Sequence, residues 1–174
     1  MFLSPIQILR HLELPAKPRI GDFGAGSGEY SLTLAERLGK GATIYAFEAF
    51  TPHLDSMREE ARKHHSEFYT LHSDLNEHIP VKSNLLNSAL VMNTLHQLQN
   101  KERFVSELAR VLEPGSPVLV VDWVGSFNNM GPPKEAIMTP GEAARLFKSG
   151  GFSVSEMLPA GTHHFAFIAT GHTP

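Results

Sequence analysis

Apolar and polar positions succeed one another along this chain in two rhythms. Short runs rich in apolar and β-branched residues have the length of strands: "RIGDF" (19–23), "ATIYAFE" (42–48), "EFYTLHSD" (67–74), "NSALVMN" (87–93) and "PVLVVDWV" (117–124). Between them, apolar residues recur three and four apart. In "GEYSLTLAERLGKG" (28–41), Tyr30, Leu34 and Leu38 share a face beside Leu32 and Ala35, and Gly39 and Gly41 end the pattern, which predicts a helix with a glycine terminus. "TPHLDSMREEARKHH" (51–65) predicts a second helix, with Thr51 as N-cap, Pro52 at the first helical position and basic residues at the end, where the helix dipole favours them. "KERFVSELARVLEPG" (101–115) turns Phe104, Val105, Leu108, Val111 and Leu112 inward and stops at Pro114 and Gly115. "TPGEAARLFKSGG" (139–151) repeats the Thr-Pro start, and "FSVSEML" (152–158) and "HHFAFIAT" (163–170) predict an antiparallel pair joined by "PAGT".

Strand and helix alternating in this way predict an α/β fold: a Rossmann-like open sheet of about seven strands, mostly parallel with a C-terminal antiparallel strand, and helices on both faces. A chain of 174 residues with 41% apolar content suits one domain, with 1–17 as an N-terminal helical cap and 18–170 as the core. The formal charge of -3 and the scattering of 15 Lys and Arg argue against nucleic acid as a partner. Cysteine is absent, which excludes disulfides, thiolate nucleophiles and Cys-ligated zinc. The opening "MFLSPIQILRHLEL" is interrupted by Pro5, Gln7 and Arg10 and lacks a small-residue cleavage site, and no stretch nears 18 apolar residues, so the expectation is a cytoplasmic protein with no membrane span.

Ligands of open α/β sheets lie outside the carboxyl ends of the strands. That rule selects Asp22 to Gly28, Glu48 to Phe50, Ser73 to Leu75, Asn93 to His96 and Asp122 to Val124. The glycine stretch reads D-x-G-x-G-x-G, and Glu29 stands where a dinucleotide fingerprint needs a small residue. Carboxylates at Asp22 and Glu29 would repel a diphosphate by on the order of 1 to 3 kcal/mol and attract a cation. Glu48 ends the second strand 20 residues after Gly28, near the offset at which an acid accepts both ribose hydroxyls. Asp74 is placed to receive an adenine amine, and Phe50 or Leu75 to cover the ring. A ligand with a ribose diol, an adenine and positive charge in place of phosphate is S-adenosylmethionine.

The set "IGDFGAGSGEYSLTLAERLG", "AFE", "HSDL", "VMNTLHQL" and "ELARVLEPGSPVLVVDW" resembles the class I S-adenosylmethionine-dependent methyltransferases, in the type 11 branch similar to ubiquinone and menaquinone biosynthesis methyltransferases. The resemblance covers roughly residues 18 to 170. It implies that Gly24 and Gly26, with Ala25 between them, lie against the methionine part and that Asp22 supports its amine. It also implies that Glu48 holds the ribose, Ala49 and Phe50 lie along the adenine, Asp74 and Leu75 read its edge, and Asn93 closes the pocket. Asn87, where many members carry an acid, and "PGS" in place of Pro-Gly-Gly depart from the pattern.

Direct methyl transfer needs alignment and exclusion of water more than a dedicated side chain, so no catalytic residue is assigned. His96 is the best placed base for an acceptor that must lose a proton, or it packs against the following helix. Trp123 and Phe127 line an acceptor pocket or fill core, and Glu29 reads as a solvated first-turn acid. His64-His65 and His163-His164 do not have the spacing of a metal site. Only residues 1–17 and the loop 124–138 are left to cover the acceptor, which suggests a small acceptor or a partner chain. The absence of cysteine disfavours arsenite-type acceptors, which related enzymes bind through cysteines. The apolar N-terminal segment suits either a homodimer contact or packing on its own core. A small-molecule methyltransferase is the favoured expectation. A silent cofactor-binding subunit of a methylation complex and a nicotinamide-dependent oxidoreductase are the alternatives.

Overall fold

A computed structural model describes residues 4–127 and 130–171. Seven strands form one sheet: β1 (Arg19–Phe23), β2 (Thr43–Glu48), β3 (Glu67–His72), β4 (Ser88–Met92), β5 (Pro117–Trp123), β6 (Phe152–Val154) and β7 (His164–Gly171). Their order across the sheet is β3-β2-β1-β4-β5-β7-β6. β7 alone runs against its neighbours, with Trp123 opposite His164 and Phe152 opposite Gly171. Among the described residues the α-helices are α1 (Pro5–Ile8), α2 (Glu29–Leu38), α3 (Thr51–Ala61), α4 (Lys101–Val111) and α5 (Pro140–Ser149).

Successive strand residues point to opposite faces, and the core divides accordingly. In β4, Ala89 and Val91 join one cluster and Leu90 and Met92 the other. The first cluster packs α4 and α5 through Phe104, Leu108 and Phe147 against Phe23, Phe47 and Phe167, with the rings of Phe23 and Phe47 stacked 4.7 Å apart. The second packs α1 and α2 through Ile8, Leu9, Leu12 and Leu34 against Ile20, Ile44 and Leu119. Ile8, Leu9 and Leu12 of the N-terminal segment thus pack on the chain's own core, while Ile6 is exposed. The four α4 residues expected to face inward are buried, as is Leu112 at its C-cap.

Two helix starts share the dipeptide Thr-Pro and differ in structure. At α5, Thr139 caps the helix and Glu142 returns the bond to the Thr139 N–H, a reciprocal capping box. At α3, Thr51 is already helical and Phe50 occupies the cap position without a side-chain bond, so the expected Thr51 cap does not form. Three residues after Thr51 stands Leu54, which is buried, so no acid can answer it; Glu48 Oε1 instead accepts the Phe50 N–H at 2.8 Å. α3 also stops at Ala61, ahead of the basic run. The C-terminal pair begins as expected, but only residues 152–154 of the first segment form a strand.

Candidate functional site

β1 and β4 lie side by side although β2 and β3 come between them in sequence, and the glycine turn 24–28 sits at this reversal of strand order. Asp22, on the α2 face of β1, is 1% exposed. Its Oδ2 accepts the Ser31 hydroxyl at 2.6 Å. Ser31 is the third residue of α2, and Gly28 at the cap position has no side chain to offer. A buried carboxylate thus occupies the positive end of α2, where a dinucleotide would place its diphosphate. Burial pushes the Asp22 carboxyl up to about 6, hydrogen bonding from Ser31 opposes that shift, and the Glu48 charge adds slightly to it. The second oxygen, Oδ1, is buried with no partner among the described residues.

Four N–H groups of the turn are already bonded within the protein. Those of Gly24 and Ala25 donate to the Phe47 carbonyl at 2.9 and 3.0 Å, and that of Gly28 donates to the Ala25 carbonyl. The Gly26 N–H donates to Glu48 Oε2 at 2.8 Å. Gly24 and Gly26 both have positive φ, for different reasons. A Cβ on Gly24 would stand 2.5 Å from Thr94 Oγ1, so its bareness admits Thr94; a Cβ on Gly26 would meet nothing within 4 Å and would project into open space.

That space is a cavity of about 410 Å³ at the carboxyl ends of β1, β2, β3 and β4. Gly24, Gly26, Glu48, Ala49, Phe50, Asp74 and Leu75 line it, as the sequence predicts. Phe50 is 56% exposed at its rim, with its ring edge-on to His53, while Leu75 is buried. Three expected residues stand outside the lining. Asp22 lies beneath the turn, Ala25 packs with Ala46, Leu54 and Met57, and Asn93 turns away from β4 with φ of 54°. Asn93 Oδ1 is buried without a partner among the described residues, and its carbonyl accepts the Gln97 amide at 2.8 Å.

Ser73 and Thr94, within the strand-end stretches selected above, and His53, Asn76, Gln97 and Leu98, outside them, complete the lining. Asn76 had a legible signal, because an amide two residues after Asp74 suits a tight turn. Its N–H and side-chain amide donate to Asp74 Oδ1 at 2.9 and 3.0 Å, and its Oδ1 accepts the Gln99 N–H at 2.8 Å. Asn76 therefore ties the Asp74 side of the cavity to the segment before α4. Ser73 Oγ and His53 Nδ1 are buried polar atoms without partners among the described residues. Glu29 is exposed in the first turn of α2, so Glu48 is the second carboxylate at the glycine turn.

Beyond β4, Asp122 Oδ1 at the end of β5 lies 2.7 Å from the His96 ring Nδ1. Trp123 lies against His164, ring centroids 4.3 Å apart, and Phe127 against His163 at 4.5 Å. Burial lowers the His164 pKa; the Asp122 charge opposes this. A larger cavity, about 710 Å³, opens at the other end of the sheet beside Asn87, Glu113 and Pro117. It lies outside the amino ends of the strands, so size does not choose the site here; strand direction does. Asn87 works there, accepting the Arg19 N–H at 2.8 Å. Among the described residues no three His, Asp or Glu side chains gather as a metal site would require, and no helix is long and apolar enough to cross a membrane.

The donor set suits S-adenosylmethionine: an orphaned buried carboxylate oxygen under the glycine turn, a strand-end acid, and a bare Gly26 facing the cavity. The sheet order and the reversed β7 define the Rossmann-like methyltransferase class. Residues 21–120 match the profile of the type 11 methyltransferase domain, and the chain belongs to that family of S-adenosylmethionine-dependent methyltransferases. No protein of curated function matches the sequence. Among solved structures, an S-adenosylmethionine-dependent methyltransferase from Aquifex aeolicus is similar with a TM-score of 0.86 and 24% identity, over 97% of this chain and 90% of that one. A Sulfolobus solfataricus protein described as a type 11 methyltransferase gives 0.78 and 23%, over 100% and 95%. The complex of the Haloferax volcanii Trm112 methyltransferase activator with a methyltransferase gives 0.79 and 14%, over 97% and 88%.

Proposed function

We propose that the cavity beside the glycine turn holds S-adenosylmethionine and that the chain, as one domain over residues 1–174, methylates a small molecule by direct in-line transfer. Glu48 receives the ribose hydroxyls on the lone pairs left free by Gly26 and Phe50. Asp74 and Leu75 face the adenine edge, with Ala49 and Phe50 along its ring. Gly24 to Gly26 flank the methionine part, Asp22 neutralises its ammonium from below, and Asn93 closes that end. When bound, S-adenosylmethionine supplies a methyl group already activated on sulfur; the chain's own residues orient the reactants and exclude water.

One observation carries this reading: the buried Asp22 carboxylate lies at the start of α2, bonded to the Ser31 hydroxyl, which favours a cation and opposes a diphosphate. Calorimetry with S-adenosylmethionine, S-adenosylhomocysteine and NAD tests it. The expected result is binding of the first two alone, and binding of NAD alone overturns it. The activator complex among the structural neighbours keeps a second reading open, a subunit that needs a partner chain to turn over. S-adenosylhomocysteine release over a panel of quinol, phenol, amine and thiol acceptors separates the two.

A further inference from the structure

The cavity of about 710 Å³ at the amino ends of the strands holds polar groups that the donor site does not use. The turn from α4 into β5 forms one side of it, where Pro117 pairs with Thr170 of β7, and the N-terminal segment with Glu13 and Leu14 forms another. Ser116 in that turn is 4% exposed. Its Oγ makes no hydrogen bond among the described residues and is not among the sealed polar atoms, so the exposure it keeps is toward the cavity it lines. Glu13 also has no hydrogen bond or ion pair among the described residues. Glu113 spends Oε1 on Arg19, and its Oε2 has no bond among them.

All of these groups accept hydrogen bonds, and the surrounding donors are spent. The Ser116 N–H donates to the Glu113 carbonyl at 3.1 Å and the Asn87 amide nitrogen to the Lys17 carbonyl at 3.3 Å, while Pro15, Pro114 and Pro117 have no N–H. No Lys or Arg lines the cavity, and the Arg19 guanidinium is taken by Glu113 and by the Leu85 carbonyl at 2.6 Å. His11 is the remaining titratable group of the lining. Two carboxylates without a free cation beside them oppose an anion and favour a positive ligand. A metal ion does not fit, because no three His, Asp or Glu side chains gather among the described residues. An ammonium does, since its three hydrogens match Glu13, Glu113 Oε2 and the Ser116 hydroxyl. Leu14 and Ile168 offer an apolar body a surface to lie on, in a space of the size that small organic ligands occupy.

We propose that this cavity is a second ligand site and that it takes a small organic amine, a protonated primary amino group carried on an apolar body. Glu13, Glu113 and Ser116 select the charge, and Leu14 and Ile168 select the body. The cavity and the glycine turn stand at opposite ends of the sheet, so a ligand held here is neither donor nor acceptor of the methyl group and binds without taking part in the transfer.

Calorimetry with phenethylamine at pH 8 tests this, with 2-phenylethanol and 3-phenylpropionate as neutral and anionic probes of the same body. The amine should bind more tightly than either by on the order of 10-fold or more. Glu13→Gln and Ser116→Ala should each weaken it by on the order of 10-fold, while thermal unfolding shows the fold kept, since neither side chain has a partner to lose. In ¹H–¹⁵N spectra the amine should move the amide signals of Gly115, Ser116 and Thr170 and leave that of Gly26 in place. No binding of the amine, equal binding of the three probes, or unchanged affinity in either variant overturns the proposal. So does an amine that moves the Gly26 signal and is displaced by S-adenosylhomocysteine, because it then sits in the donor cavity.

Discussion

Glu48 Oε2 accepts the backbone N–H of Gly26 at 2.8 Å, and this bond joins the glycine turn to the end of the neighbouring strand. Its other oxygen accepts the N–H of Phe50 at the start of α3. One carboxylate therefore organises two loops before any ligand arrives. Glu48→Ala is predicted to weaken S-adenosylmethionine binding by about 1 to 3 kcal/mol, the usual cost of losing bonds to a charged acceptor. Calorimetry would show a smaller loss for Glu48→Gln, and unchanged affinity in the alanine variant would remove Glu48 from the site.

Asp22 sets function against stability. Its carboxyl is raised from 3.8 to about 6 by burial, so between these values the native state binds the proton more tightly than the unfolded chain does. Stability falls as pH rises through that window and stays lower above it. Asp22→Asn removes the charge and leaves an acceptor for Ser31. Above pH 6 it should therefore be more stable than the wild type, by on the order of 1 to 3 kcal/mol, and near pH 3.5 about equally stable. Urea unfolding at the two pH values checks this, and calorimetry should show weaker cofactor binding. The same gain at both pH values would refute the burial argument.

Gly24 and Gly26 should respond differently to the same methyl group. Gly24→Ala collides with Thr94 and is strained at φ of 78°, so thermal unfolding should reveal a loss on the order of 1 to 3 kcal/mol. Gly26→Ala meets only the strain, about 1 kcal/mol, and its methyl group enters the cavity. Its main effect should appear in cofactor affinity. Equal stability losses with equal affinities would sink the distinction.

Glu107 accepts two bonds from the Arg110 guanidinium and one from the Ile79 N–H, which hold its carboxyl at about 2. This lowered value contributes stability above the unfolded value of 4.5, and the contribution is lost as pH falls through about 2. Glu107→Gln should destabilise the protein at pH 7 by on the order of 1 to 3 kcal/mol, with the difference shrinking toward pH 2. Denaturant titrations across that range would expose a constant difference if the pairing does not matter.

Much of this architecture is legible in the sequence because it rests on local periodicity. β1 and α2 fall on the expected residues, since buried alternation and glycine stops mark both ends. The glycine turn and the acids at strand ends are legible because backbone bends and sheet direction confine them to few positions. The lining from His53 and Gln97 was not legible, because it depends on how α3 and the turn after β4 approach the sheet. Thr51 was misread because a Thr-Pro pair looks alike with or without an acid three residues on. The tie between His96 and Asp122 spans 26 residues and two strands, and no spacing rule announces it.

The reversal of β7 sets an order on how this enzyme comes into being. Because that strand enters from the rim where its neighbours finish, its first residue, His164, stands across from Trp123. The cavity beside the glycine turn is lined wholly by residues 24 to 98. A nascent chain thus carries every residue that lines this cavity before it carries the strand that stands across from Trp123.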